Sequence, residues 1–151
     1  MSTNPDRPLC ILGFDVGARR IGVAVGNTLS RSARAIAMVA AHDDGPDWDA
    51  VAALVREWRP DRLVVGEPLT LDGEAQPATH FARRFAREAG TRFGLPVDLV
   101  DERSSSREAD RRFAEKRRAG QARRRDARAL DAVAAQVILE RWFGDPCLPT
   151  P

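Results

Sequence analysis

Cys10-Ile-Leu-Gly-Phe-Asp-Val-Gly-Ala-Arg-Arg-Ile-Gly-Val-Ala-Val25 is the stretch that decides the fold. Its first seven residues are short and mostly apolar, the pattern of a buried strand. Gly17 and Ala18 begin a tight turn. Ile21–Val25 is a second strand, close enough to form a hairpin with the first. Outward from the hairpin, a third strand is expected around Ala35–Ala40, and His42–Asp47, with Gly45 and Pro46, reads as a loop. Asp47 caps a helix to about Trp58, where Val51, Leu54, Val55 and Trp58 recur at helical spacing and Pro60 stops the run. Leu63–Val65 is a buried strand. A helix follows over about Pro77–Phe93, ended by Gly94, and a strand over Val97–Val100 leads into Asp101-Glu102-Arg103. Ser105-x-x-Glu108 is a capping box that opens a helix to about Arg118. Ala119–Arg125 is expected to be mobile, and the last helix runs from about Asp126 to Phe143. A hairpin-rich start followed by alternating helices and strands predicts a three-layer α/β domain. That domain spans residues 9–144, between flexible ends at 1–8 and 145–151.

Composition narrows the function. A chain of 151 residues fits one domain, and its 43% hydrophobic content is ordinary for one. No apolar run approaches the roughly 18 residues of a membrane span. Met1–Pro8 is polar and lacks a signal-peptide core. The reading is a cytoplasmic protein with no membrane partner. Cys10 and Cys147 make no disulfide framework or Cys-x-x-Cys spacing. His42 and His80 are the only histidines. Any metal should therefore be a hard cation held by carboxylates. The net charge of +2 is small, but it is unevenly spread. Residues 103–128 hold eleven Arg or Lys against four Asp or Glu, a local +7, which leaves the rest at −5. A basic arm on a mildly acidic body suggests a polyanion partner, although a solvated arginine-rich helix has the same composition.

Three acids stand where acids are unexpected. Asp15 sits inside the first apolar strand, where an unpaired ionised carboxylate costs several kcal/mol. Pleating puts it on the face of Ile11 and Gly13, opposite Leu12, Phe14 and Val16. Bonds to backbone amides, pairing with Arg19 or Arg20, or a metal cation would each compensate it. Glu102 lies at a strand's carboxyl end, where ligands bind in α/β sheets, though many polar strand ends are plain. Asp131 opens the apolar stripe of Ala134, Ala135, Ile138 and Trp142 on the last helix. It is either a first-turn acid favoured by the helix dipole or a core-facing group needing a partner. If the last helix packs across the first strand, the three acids can gather at one sheet edge and recruit Mg²⁺ or Mn²⁺. Such ions activate water and stabilise a phosphodiester's leaving oxygen.

Leu12-Gly-Phe-Asp-Val-Gly17 with Arg20–Val25 resembles the opening hairpin of the YqgF family. Val64-Val-Gly-Glu-Pro-Leu69, Asp72-Gly73 and Gln76-Pro77 resemble its central loop. Asp101-Glu-Arg103 with Ser104–Ser106 resembles its next motif, and Leu130–Ala135 with Ile138-Leu139 resembles its last helix. The four blocks stand in order across about residues 11–143. The resemblance implies an RNase H-like three-layer domain with a mixed five-stranded sheet and helices on both faces. It also implies a nuclease that matures the 5′ end of pre-16S ribosomal RNA or resolves Holliday junctions. By the same resemblance the family's three acids fall on Asp15, Glu102 and Asp131, as catalytic and Mg²⁺- or Mn²⁺-binding residues. Glu67 departs from the apolar residue expected in the central loop, and Ala129 stands where a basic residue is usual.

The expected reaction is hydrolysis of a nucleic-acid phosphodiester, with Arg19, Arg20, Arg103, Arg123, Arg124 and Arg125 holding the backbone. Such contacts position the strand without reading sequence. Partners are expected to be pre-rRNA or branched DNA, ribosomal particles, and a second copy of the chain if it pairs active sites, as a junction cutter requires. One rival is a non-catalytic RNA- or ribosome-binding factor, which has no use for three converging carboxylates. Another is an ATP-using enzyme of the actin and sugar-kinase type, which needs two domains of this fold in a longer chain.

Overall fold

A computed structural model describes residues 8–42, 45–70, 72–101 and 126–144, with only the backbone for 126–132. The expected capping-box helix over 105–118, the 119–125 loop and the 145–151 tail lie outside the described residues, as does all of the N-terminus but Pro8.

The opening hairpin forms as its pattern demands. β1 (Cys10–Val16) pairs antiparallel with β2 (Arg20–Asn27), which pairs antiparallel with β3 (Ser32–His42). The two-residue β4 (Gly45–Pro46) pairs with Ala41 and His42. β5 (Arg62–Glu67) and β6 (Val97–Asp101) then add parallel to β1, giving the order β4-β3-β2-β1-β5-β6. The sheet is mixed, as expected, but among the described residues it has six strands rather than five. The extra one lies in the stretch read as a loop. β3 is longer than the expected Ala35–Ala40, so its end projects far enough to take a short partner. Pro46 is tolerated there because the position is at the sheet edge. Ser32–His42 lacks a clean two-residue alternation, and its pairing with β2 is irregular at Val23/Ala24, so no local pattern marks the ends of β3.

Two helices cover one face. α1 (Trp48–Trp58) starts at Asp47, whose side chain accepts from the Ala50 amide at 3.2 Å. It ends at Arg59 in the left-handed region. α2 (Pro77–Phe93) begins with a reciprocal cap between Gln76 and Thr79 and stops at Gly94, with φ 63°. Leu12, Phe14, Val16, Leu63 and Val65 meet Val51, Ala82, Phe85 and Ala89 on this side. The third described helix, α3 (Asp126–Phe143), covers the other face. There Ile11, Ala24 and Val64 pack on Ala135, Ile138, Leu139, Trp142 and Phe143.

The contact of α3 with the hairpin is very close. A Cβ at Gly13 would stand 2.5 Å from Leu139 Cγ, and one at Gly26 would stand 2.8 Å from the Phe143 ring. Hydrogen bonds fix the helix lengthwise. Trp142 Nε1 donates to Asp98 Oδ2 at 2.9 Å, and Arg62 Nη1 bridges both Asp98 oxygens at 2.8 and 2.9 Å. The Ala35 amide donates to Gln136 Oε1 at 3.3 Å, and Arg31 donates to the Phe143 carbonyl.

Candidate active site

β1, β5 and β6 run in the same direction, so their carboxyl ends share one edge. Phe14 is level with Val65, and Val65 with Leu99, which sets Asp15 beside Gly66 and Val100. Ile11 and Val64 face α3, so by alternation Gly13, Asp15 and Gly66 face it too. Asp15 is half-buried between buried Phe14 and Val16. It is thus the acid of a core strand at the point where the strand emerges.

α3 runs along this face against the direction of β1. Phe143 lies against Gly26, the partner of Ile11, and Leu139 lies against Gly13. The helix therefore advances from Gly13 toward Asp15 as its numbering falls. Asp131 is eight residues before Leu139, about 12 Å along the axis, whereas Asp15 lies about 7 Å beyond Gly13. The backbone of α3 thus carries position 131 to the edge where β1 ends. The expected packing of the last helix across the first strand is present, and tight contact at Gly13 is what permits it.

The other predicted residues divide clearly. Arg19 and Arg20 are exposed in the β1–β2 turn, directly after the strand that bears Asp15. That turn is held by the Gly17 amide on the Arg20 carbonyl and the Ala41 amide on the Arg19 carbonyl, both at 2.9 Å. Glu102 follows the last residue of β6 and lies outside the described residues, as do Arg103, Arg123, Arg124 and Arg125. The side chain of Asp131 lies outside them too. Among the described residues no group of three acids, cysteines or histidines forms a metal site. Of the three proposed ligands, only Asp15 has a described side chain.

Glu67, the unexpected acid of the central loop, is turned away from this face. It shares the side of Leu63 and Val65, and Arg83 Nε of α2 donates to its Oε2 at 2.7 Å. Its role in the fold is to tie β5 to α2. Sequence reasoning missed Arg83 because no local pattern links two residues sixteen apart on different elements.

Comparison with known proteins identifies the family and the fold. The RuvX family, described as Holliday junction resolvase, matches residues 9–145. A "Putative pre-16S rRNA nuclease" of Xanthomonas oryzae pv. oryzae is 60% identical over 136 residues, covering 90% of this chain and 88% of that protein. A protein of the same name from Xanthomonas campestris pv. campestris is also 60% identical, with the same coverage. Among solved structures, T. thermophilus RuvC in complex with a Holliday junction substrate superposes with a TM-score of 0.53 at 19% identity, covering 89% of this chain and 93% of that one. The fowlpox virus Holliday junction resolvase does so with a TM-score of 0.52 at 17% identity, covering 93% and 100%. At those identities the likeness establishes the fold, which is RNase H-like. With the signature spanning nearly the whole chain and relatives at 60% identity, the chain belongs to the RuvX family, also called YqgF.

Proposed function

We propose that this chain is a nuclease that hydrolyses nucleic-acid phosphodiesters at the carboxyl edge of its sheet, with the 5′ end of pre-16S ribosomal RNA as substrate in the cytoplasm. The observation that carries the reading is the placement of Asp15 at the end of β1 beneath α3. The same edge receives α3 at position 131 and β6 one residue before Glu102. The substrate assignment rests on the 60% identical relatives.

In this reading Asp15, Glu102 and Asp131 form an all-oxygen donor set. That chemistry fits Mg²⁺ or Mn²⁺ and does not fit a thiophilic metal. When bound, the ion supplies positive charge to the phosphate and acidifies water. The chain's own residues do the rest. Asp15 would hold the ion, and through it the reacting phosphate, over the rigid β1 floor. Arg19 and Arg20 hold the neighbouring backbone phosphates from the turn. A water oxygen bonds to phosphorus and releases a proton to solvent, the bond to the leaving oxygen breaks, and the leaving oxygen takes up a proton from solvent. The family description favours a second substrate, a four-way DNA junction, cut by the same chemistry.

The decisive experiment is cleavage of a labelled pre-16S 5′ fragment and a labelled four-way junction in Mn²⁺ or Mg²⁺, by wild type and Asp15→Asn. We expect the RNA to be cut, and the variant to lose more than the roughly 10–100-fold that follows loss of a ligand's outer partner. Cleavage of the junction alone assigns the second substrate. Salt-sensitive binding without cleavage of either overturns the enzyme reading and leaves a binding factor.

A further inference from the structure

A cavity of about 90 Å³ opens at the same sheet edge, on the face away from Asp15. Val16 and Ile21, paired across β1 and β2, line it together with Pro46, Trp48, Phe81 and Phe85. Val16 is the residue next to Asp15, so one strand end serves both faces. The cavity also reaches Gly17 and Ala18, the start of the turn that exposes Arg19 and Arg20.

The aromatic lining is unequal. Phe85 is buried, and its ring lies 5.1 Å from Trp48, tilted by only 11°. Arg92 also sits over Trp48, 4.6 Å from the ring centroid. Phe81 is different: it lines the cavity but is 48% exposed. His42, Arg84 and Glu88 supply polar groups around it, with Arg84 Nε donating to Glu88 Oε1 at 3.2 Å. Trp48 and Phe85 stack on each other, so the exposed Phe81 is the ring left to meet a ligand, and an apolar lining with hydrogen-bonding groups beside it suits a planar heterocycle. At about 90 Å³ the cavity has room for one flat ring entering from its open mouth, and not for the backbone of a helix. The adjacent exposed arginines match the phosphates that a nucleobase brings with it.

We propose that this cavity takes an unpaired nucleobase of the substrate strand, stacked on Phe81, while that strand rounds the Gly17–Arg20 turn toward Asp15. A base inside a duplex has both faces covered and cannot enter, so the substrate class is a nucleic acid single-stranded beside the scissile phosphate. The proposal rests on the nuclease reading for the direction of the strand and adds what the strand must look like.

The test is fluorescence anisotropy of short single-stranded RNA in EDTA, where hydrolysis does not interfere. Intact RNA is compared with the same backbone made abasic, using wild type, Phe81→Ala and Phe81→Trp, each checked by thermal melting. Stacking of one base predicts that wild type prefers the intact RNA by about tenfold. Phe81→Ala should lose that preference, and Phe81→Trp should keep it. Equal affinity of wild type for both RNAs, an unchanged preference in Phe81→Ala, or no binding of either RNA overturns the proposal. Cleavage by wild type in Mn²⁺ is scored separately. Absent cleavage with a Phe81-dependent preference removes the nuclease reading alone, whereas cleavage without that preference removes the pocket alone.

Discussion

At the residue scale, Cys10 shows how a single side chain ties local geometry to pH. Its amide donates to Asp61 Oδ2 at 2.8 Å, and its thiol to the Trp58 carbonyl at 3.5 Å. Burial, and secondarily the Asp61 carboxylate, push the thiol up from its ordinary value of 9.0. As pH rises past that value, the unfolded chain releases this proton while the folded chain retains it. The unfolded state then binds fewer protons, so stability falls with rising pH. The chain contains no tyrosine, and Lys116 is its one lysine, so few other side chains titrate in this range. Urea denaturation from pH 8 to 10.5 should show stability falling above about pH 9, by at most about 1.4 kcal/mol per pH unit. Cys10→Ala should flatten that fall. An equal fall in the variant would assign the effect elsewhere. Glu67 makes the complementary point. As an acid beside a glycine at a strand's carboxyl end it resembles a site residue, but the strand's alternation points it at Arg83.

At the scale of elements, the contact between β1 and α3 decides where chemistry can occur. Gly13 leaves no room for a methyl group beneath Leu139. Gly13→Ala is therefore expected to destabilise by about 1–3 kcal/mol through overpacking, lowering Tm by about 2–4 °C per kcal/mol. The helix should also lift from the strand, so cleavage should drop along with stability. Adding Leu139→Ala makes room for the methyl, so the double variant should melt above the sum of the two single effects. Strict additivity in thermal melts would mean that the two sites do not touch. The Arg62–Asp98–Trp142 bonds resist sliding of α3 along the sheet, so lifting rather than slipping is the expected response.

At the scale of the whole molecule, charge is divided between an acidic body and the basic 103–128 segment. Phosphate contacts release counterions, so the slope of log affinity against log salt counts them. Replacing Arg123, Arg124 and Arg125 with alanine should flatten that slope by about 2–3, with similar losses for RNAs of different sequence. An unchanged slope would place the strand away from these arginines. No described helix is long and apolar enough to cross a membrane. The RNase H-like sheet supplies the rigid floor for this arrangement, and its three parallel carboxyl ends supply the edge along which acids can converge.

Much of this was legible in the chain itself. The apolar run Cys10–Val16, the helical spacing of Val51 to Trp58, and the Pro77 and Gly94 boundaries of α2 are local signals, and local sterics and hydrogen bonding enforce them. The suspicion about Asp15 was legible for the same reason, since a carboxylate in an apolar strand has an immediate cost. Other features were not. β4 arises because the end of β3 offers an edge. The Glu67–Arg83 pair and the Phe81 cavity arise because α2 lies on a particular side of the sheet. The sequence determined which segments are strands and helices and which residues are too polar for their surroundings. Only the tertiary structure decided which side of the sheet each polar group faces and what it meets there, because those contacts join residues far apart in the chain and follow from how whole elements pack.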